Sequence, residues 1–258
     1  MILFYPDKLK NYARIKLICD RAKIPYTYKM QPGVRVIMRN DYRLRRDTDV
    51  LNTKDYYPMI NEYCVDMSKT FTEQVFEKVF GYSSLVDPKL PVKMLKKTDK
   101  QGTKDAEVIT GPTEPEEGYI YQRVIDNKIN NHHVDYRVYI IGKEIVWIRE
   151  KWKKRLIQAD ILKSRPAMGV LTPAQEAKII EFCGEFGLDF GELDVLVDYP
   201  TKRMYIVDVN DMPGVRRNDS KQPGYREELN LLSDKFKEYY DYCSKIKDCR
   251  NSCRMCVC

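Results

Sequence analysis

Asp194, in GELDVLVD, and Asp208 and Asn210, in MYIVDVN, are hard oxygen donors on what reads as one β-hairpin. Residues two apart on a strand point to the same side, so Asp208 and Asn210 share a face. Asp194 can meet them from the preceding strand, across the turn Tyr199–Arg203. Inward carboxylates among Leu193, Val195, Ile206 and Val209 are costly unless a cation compensates them. Two carboxylates and an amide oxygen suit Mg²⁺ or Mn²⁺ carrying phosphates. The plainer reading is a hairpin with solvated edges, and Asp198 and Asp211 are expected to be of that kind.

Other chemistry is thinner. His132 and His133, adjacent in the polar turn DNKINNHH, make neither a metal site nor a triad. No G-x-x-x-x-G-K-[ST] sequence, dinucleotide G-x-G-x-x-G or nucleophile elbow is present. Lys151, Lys153, Lys154 and Arg155 either greet an anionic second substrate or form a wet basic surface. Cys243, Cys249, Cys253, Cys256 and Cys258 crowd the end of the chain, with Cys253-x-x-Cys256 the tightest pair. They read as a basic tail of reduced thiols, a soft-metal clip, or a redox or partner-linking element.

A hydrophobic fraction of 43% is ample for a core, and a charged fraction of 32% is what a soluble chain is expected to carry. Lysine and arginine exceed aspartate and glutamate by 45 to 38, which favours anionic partners, nucleotides as well as nucleic acid. Without a long basic block or a nucleic-acid module, direct nucleic-acid binding is disfavoured. Cysteines clustered at one end do not make a disulfide framework. No apolar run is long enough to span a bilayer, and MILFYPDKLKNYARIK lacks the pattern of a signal peptide, so the expected compartment is the cytoplasm.

The elements that must position these residues follow from periodicity. KNYARIKLICDRAKIPY predicts a helix presenting Ile15, Ile18, Cys19 and Ala22, and RVIMRND a short strand. SKTFTEQVFEKVFGY predicts a helix capped by Asp66 or Ser68 and stopped at Gly81. PVKML, AEVIT, YIYQRVI, VDYRVYII and EIVWIRE predict strands, the last two joined at Gly142-Lys143. Thr172-Pro173-Ala174-Gln175 is a capping box opening a helix that ends at Gly187. LDVLVD and MYIVDVN follow as strands, and REELNLLSDKFKEYYDYC closes the body as a helix. Helices set between groups of hairpins predict an α+β fold rather than a doubly wound sheet.

The stretch Asp194, then Asp208-Val209-Asn210-Asp211-Met212-Pro213-Gly214, resembles the C-terminal signature of ATP-grasp enzymes, in particular the glutathione-synthetase and ribosomal-protein glutamate-ligase branch. That family has a strand aspartate, a hairpin and an acidic-x-Asn-x-x-Pro-Gly segment. It usually has glutamate where Asp208 stands, and several relatives have arginine where Glu192 stands. The resemblance covers about residues 60–215. It implies Asp194, Asp208 and Asn210 as metal ligands. It implies Lys69 and Lys93 as phosphate-binding lysines and Thr98–Thr103 as the phosphate-covering loop. It implies Gln122 and Val124 beside adenine, Asp135 at the ribose, and Arg137 facing a phosphate or acyl-phosphate. Arg149 is the further candidate for steadying the acyl-phosphate.

The fold implied is two α+β subdomains clasping a nucleotide behind a shortened N-terminal domain. The expected divisions are 1–60, 61–118, 119–240 and a cysteine-rich tail, 241–258. The function implied is an ATP-dependent carboxylate–amine ligase using ATP and Mg²⁺ (or Mn²⁺), with a small acid and an amine as substrates. The alternatives are an ATP-grasp kinase acting on a small molecule and a non-catalytic nucleotide-binding protein.

Overall fold

The structure is a computed structural model describing residues 1–46, 57–100, 103, 105–157, 161, 163–215 and 219–255, with side chains to residue 246. Gln101 and Gly102 of the expected covering loop, and the side chains of Cys249, Cys253, Cys256 and Cys258, lie outside the described residues.

The N-terminal region builds a four-stranded parallel sheet in the order β2-β1-β3-β4, from β1 (Ile2–Pro6), β2 (Tyr26–Thr27), β3 (Val36–Asn40) and β4 (Met59–Ile60). Helix α1 (Arg14–Ala22) crosses between β1 and β2 and buries Ile15, Ile18 and Cys19. The sequence reading found β3 and α1 but not β1, whose short apolar run ends at Pro6.

Helix α2 (Lys69–Phe80) starts where Ser68 Oγ accepts from the Phe71 amide at 3.1 Å, and Asp66 in turn accepts from the Ser68 amide. Gly81, at φ 75°, closes it in the left-handed region that glycine adopts without strain. A three-stranded antiparallel sheet follows in the order β6-β5-β7, from β5 (Lys93–Thr98), β6 (Glu107–Thr110) and β7 (Tyr119–Arg123).

The largest sheet has the order β11-β10-β9-β12-β13, with a short β8 (Lys128–Ile129) also pairing β9. Its strands are β9 (His132–Ile141), β10 (Glu144–Lys153), β11 (Lys163–Pro166), β12 (Phe190–Val197) and β13 (Met204–Asn210). All its pairings are antiparallel. Helix α3 (Pro173–Phe186) begins with both halves of the Thr172/Gln175 capping box formed. Helix α4 (Tyr225–Met255) runs on past the predicted end of the closing helix, so its backbone stays helical into the cysteine-rich segment.

The two faces of the large sheet decide where the chemistry goes. Val134, Tyr136, Val138 and Ile140 of β9 pack with Phe76, Ile179, Phe182 and Phe186 in a core beneath α2 and α3. Burying each such side chain stabilises the fold by roughly 1.5–3 kcal/mol. On the other face, Tyr139, Ile141, Trp147 and Phe190 join Ile15, Ile18, Leu232 and Phe236 in a second core under α1 and α4. Asp135 and Arg137 share that second face further towards the start of β9, and there the sheet becomes charged. Among the described residues no helix is long and apolar enough to cross a membrane.

Candidate functional site

Strand pairing lines up a row of charged residues across the large sheet. Arg149 on β10 opposes Arg137 on β9, Arg137 opposes Asp194 on β12, and Asp194 opposes Asp208 on β13. One pleat along, Lys151 opposes Asp135; one pleat the other way, Tyr139 opposes Glu192, which opposes Asn210. A register shift after Asp194 leaves Val207 as the extra residue of a bulge, bending β13 beside Asp208.

This charged face is one wall of a cleft of about 370 Å³, within the size range of ligand pockets. Asp135, Lys151, Lys153, Asp194 and Asp208 come from the large sheet. Lys69 at the start of α2, Leu95 and Lys97 on β5, and Thr103, Asp105 and Ala106 come from the opposite side. The site is therefore clasped between the two antiparallel sheets.

Asp194 and Asp208 face each other but sit in different fields. Asp194 accepts from Lys151 Nζ at 2.7 Å and from Arg137 Nε at 3.2 Å. Burial works against its charge, yet Arg137 and Lys151 outweigh burial and hold the carboxyl well below the usual range. Among the described residues no ion pair or hydrogen bond reaches the Asp208 carboxylate. Burial, reinforced by Asp194 opposite, pushes it up to about 6 against the pull of Lys69 and Lys97. Both lysines are in turn lowered, mainly by burial, while Asp208 works against that shift.

An under-compensated, half-buried carboxylate beside a second one fits a divalent cation. Among the described residues no three carboxylate, imidazole or thiol side chains converge at metal distance. Such an ion would thus rest on Asp194 and Asp208 and complete its shell with phosphate and water oxygens, as Mg²⁺ ordinarily does. Asn210 stands in the adjacent row. Its Oδ1 accepts from the Met212 amide at 3.2 Å, and its Nδ2 lies 3.4 Å from Glu192 Oε1.

The other predicted residues divide plainly. Lys69 lines the cleft, and its Nζ donates to the carbonyls of Thr98 (3.0 Å) and Lys100, tying α2 to the loop after β5. Asp135 lines the cleft, pairing with Lys153 at 2.5 Å and accepting from Asn127 at 3.0 Å. Lys93 is exposed at the outer end of β5 and is not part of the cleft lining. Gln122 and Val124 also lie outside that lining. Gln122 is buried in a polar knot, donating to Glu73 at 2.5 Å and Ser84 at 3.0 Å.

Arg137 and Arg149 line a smaller adjoining cavity with Arg14, Tyr139, Ser164 and Glu228, and Lys151 borders both spaces. Arg137 pairs with Glu192 at 2.8 Å, so the glutamate two residues before Asp194 meets an arginine from β9. Glu228 accepts from Arg14 at 2.5 Å and Arg149 at 2.7 Å.

Sequence reasoning missed Lys97, Arg14 and Glu228 and left Lys151 within a basic run. Lys97 had a signal: it repeats the parity of Lys93 along β5 and so shares its face. Arg14 is brought in by the Pro213-Gly214 turn, whose Pro213 carbonyl accepts from the Arg14 amide at 2.8 Å. A β-carbon at Gly214 would meet the Tyr12 ring at 3.0 Å, so that close approach favours glycine. Lys151 is only 5% exposed, because β10 continues to Lys153 instead of ending in a loop; of the two readings of the run, the wet surface does not describe this residue.

No protein-family profile and no curated protein sequence matches the chain. Solved structures do match. The ATP-grasp ligase PsnB complexed with a minimal precursor superposes with a TM-score of 0.59 at 10% identity, covering 91% of this chain and 98% of that one. The macrocyclase MdnC of Microcystis aeruginosa MRC, bound with its precursor peptide MdnA, gives 0.54 at 13% identity, covering 93% and 99%. The RiPP-associated ATP-grasp ligase of Chryseobacterium gregarium, with ADP and a leader and core peptide, gives 0.55 at 13% identity, covering 90% and 95%. Likeness of this extent at such low identity is a likeness of architecture, and it identifies the chain's α+β fold as the ATP-grasp fold.

Proposed function

We propose that the chain is an ATP-dependent ligase that activates a carboxylate as an acyl-phosphate and passes the acyl group to an amine. The observation that carries this reading is the meeting of Asp194 and Asp208 with Lys69 and Lys97 across one cleft. Two lysines facing two carboxylates provide the charge pattern that a metal–polyphosphate needs. In support, PsnB has also been solved with a precursor, Mg and ADP, and the MdnC and Chryseobacterium structures contain peptides. We therefore widen the acceptor from a small acid to a carboxylate carried on a peptide.

In this reading Asp194 and Asp208 would hold the divalent ion, which would supply positive charge against the transferring phosphoryl group. Lys69 and Lys97 face the phosphates from the opposite wall, their charges in place before the reaction. Lys69 also joins α2 to the Thr98–Lys100 segment, so the phosphate contact is tied to the end of β5. The carboxylate oxygen attacks the γ-phosphorus as the bond to ADP breaks. The amine then attacks the acyl carbon, phosphate leaves with the bonding pair, and the amine proton passes to solvent. Arg137 and Arg149, in the adjoining cavity, are the groups we assign to steadying the acyl-phosphate. Asp135 is assigned to the ribose. Gln122 and Val124 are retained for the adenine end, and the Gln122 knot then fixes β7 rather than offering a free amide.

Tracing γ-labelled ATP tests the outcome. A ligase releases labelled free phosphate only when both acid and amine are supplied. Label retained on a product instead indicates a kinase, and no label transfer with any acceptor, despite nucleotide binding, indicates a binding protein.

A further inference from the structure

The carboxylate of Asp194 is shared. It is placed to bind a divalent cation with Asp208, yet its Oδ1 already accepts from both Lys151 (2.7 Å) and Arg137 (3.2 Å). Lys151 lies between two spaces, lining the nucleotide-sized cleft and the arginine-lined cavity beside it. Arg137 keeps a second partner, Glu192, at 2.8 Å. Lys151 forms its ion pair with Asp194.

A cation cannot share those oxygens with an ammonium and a guanidinium at no cost, because like charges at such spacing repel strongly away from water. Once displaced, a buried ammonium needs another anion, since leaving it unpaired costs several kcal/mol, roughly the penalty of any buried unmatched charge. With Asp135 opposite already paired to Lys153, and Glu228 held by Arg14 and Arg149, Lys151 is placed to meet that need with an anionic group at the junction of the two spaces.

We infer that Asp194 is an exchange point: divalent metal binding there releases Lys151, and with it one side of Arg137, to hold an anionic group between the two cavities. The metal and that anion then bind cooperatively, and Lys151 is the residue that couples them. This rests on the metal site of the proposed function, but adds a role for Lys151 that this site does not require.

The test uses the intact chain without nucleotide, with Mn²⁺ binding followed by the electron paramagnetic resonance of free Mn²⁺. Lys151→Met removes the competitor for Asp194. Lys153→Met removes an equal charge from the same strand and cleft, where the partner is Asp135 rather than Asp194. Exchange predicts that Lys151→Met binds Mn²⁺ about tenfold tighter than wild type, equivalent to roughly 1.4 kcal/mol, with Lys153→Met changed by less than about threefold. Equal tightening in both variants, or none in Lys151→Met, overturns the exchange while leaving the metal site standing. No Mn²⁺ binding by the wild-type chain overturns the metal site and the exchange with it. If Lys151→Met does not fold, ADP affinity in EDTA decides. Asp194→Asn frees Lys151 and should gain more affinity than Asp208→Asn, which deletes the same charge without freeing it; equal gains contradict the exchange.

Discussion

Asp194 and Asp208 stand directly opposite each other on β12 and β13, and the fold drives their acidities apart. Arg137 and Lys151 hold Asp194 well below the ordinary carboxylate range, while burial and Asp194 itself push Asp208 up to about 6.

The sign of that split gives a first prediction. Asp208 ionises less readily in the folded chain than in the unfolded one, so its charge lowers stability above about pH 6. That penalty shrinks as pH falls through 6 towards the ordinary carboxylate value. In EDTA, Asp208→Asn should raise the melting temperature by a few degrees at pH 7.5, and the gain should fade at lower pH. Asp194→Asn should lower it, because Lys151 loses its ion-pair partner and Arg137 one of its two. Thermal melts across pH check both, and a loss of stability in Asp208→Asn at pH 7.5 contradicts the assignment.

Which β5 lysine meets the phosphates is a second question. Lys97 lines the cleft and Lys93 does not. Lys97→Met should weaken ADP binding by about tenfold or more, in keeping with the loss of a charge-assisted contact, and leave adenosine binding unchanged. Lys93→Met should change ADP affinity by less than about threefold, within the range for exposed charges. Calorimetry on the two variants separates them. A larger loss in Lys93→Met restores the role implied by the family resemblance.

Glu228 offers a third. It is 1% exposed and holds Arg14 of α1 and Arg149 of β10 at once, joining the N-terminal sheet to the large sheet through α4. Glu228→Ala leaves two buried guanidinium groups short of a counter-charge and should cost about 3–5 kcal/mol. Denaturant unfolding measures it, and a loss below about 1 kcal/mol would show the pairs behave like exposed ones.

Gly191 tests the geometry behind the aspartate row. A β-carbon there would sit 2.6 Å from the Asn210 carbonyl and 2.9 Å from Leu188, so β12 and β13 would have to part. Gly191→Ala should destabilise by about 1–3 kcal/mol, the usual range for overpacking. It should also weaken Mn²⁺ binding, because Asp194 and Asp208 ride on the same two strands. An unfolding curve and Mn²⁺ affinity like those of wild type would mean that the strands yield freely.

Much of this is legible in the sequence itself. Asp194, Asp208 and Asn210 could be placed on one hairpin because strand parity and the turn at Tyr199–Arg203 are local signals. Helix α3 was readable from Thr172 and Gln175 because capping is decided within four residues. Lys151 was not, because only the extension of β10 to Lys153 shows that the basic run enters the sheet. Edge strand β11, Lys-Ser-Arg-Pro, carries no apolar alternation to announce it. Glu228 reads as one more acid in the first turn of a helix, and only tertiary packing reveals it as the anchor of two arginines. Asn210 followed the motif, but its neighbour in the folded sheet is Glu192 rather than the aspartate pair.

The central claim is that the cleft between the two antiparallel sheets binds a metal–nucleotide complex through the Asp194–Asp208 pair. Calorimetric titration of ADP with Mg²⁺ into the wild-type chain and into Asp194→Asn/Asp208→Asn tests it most directly. The account predicts one-to-one binding in the micromolar range for wild type, strengthened by Mg²⁺, with the Mg²⁺ dependence abolished in the double variant. Binding that is indifferent to Mg²⁺ in the wild-type chain, or equally Mg²⁺-dependent in the double variant, would contradict it.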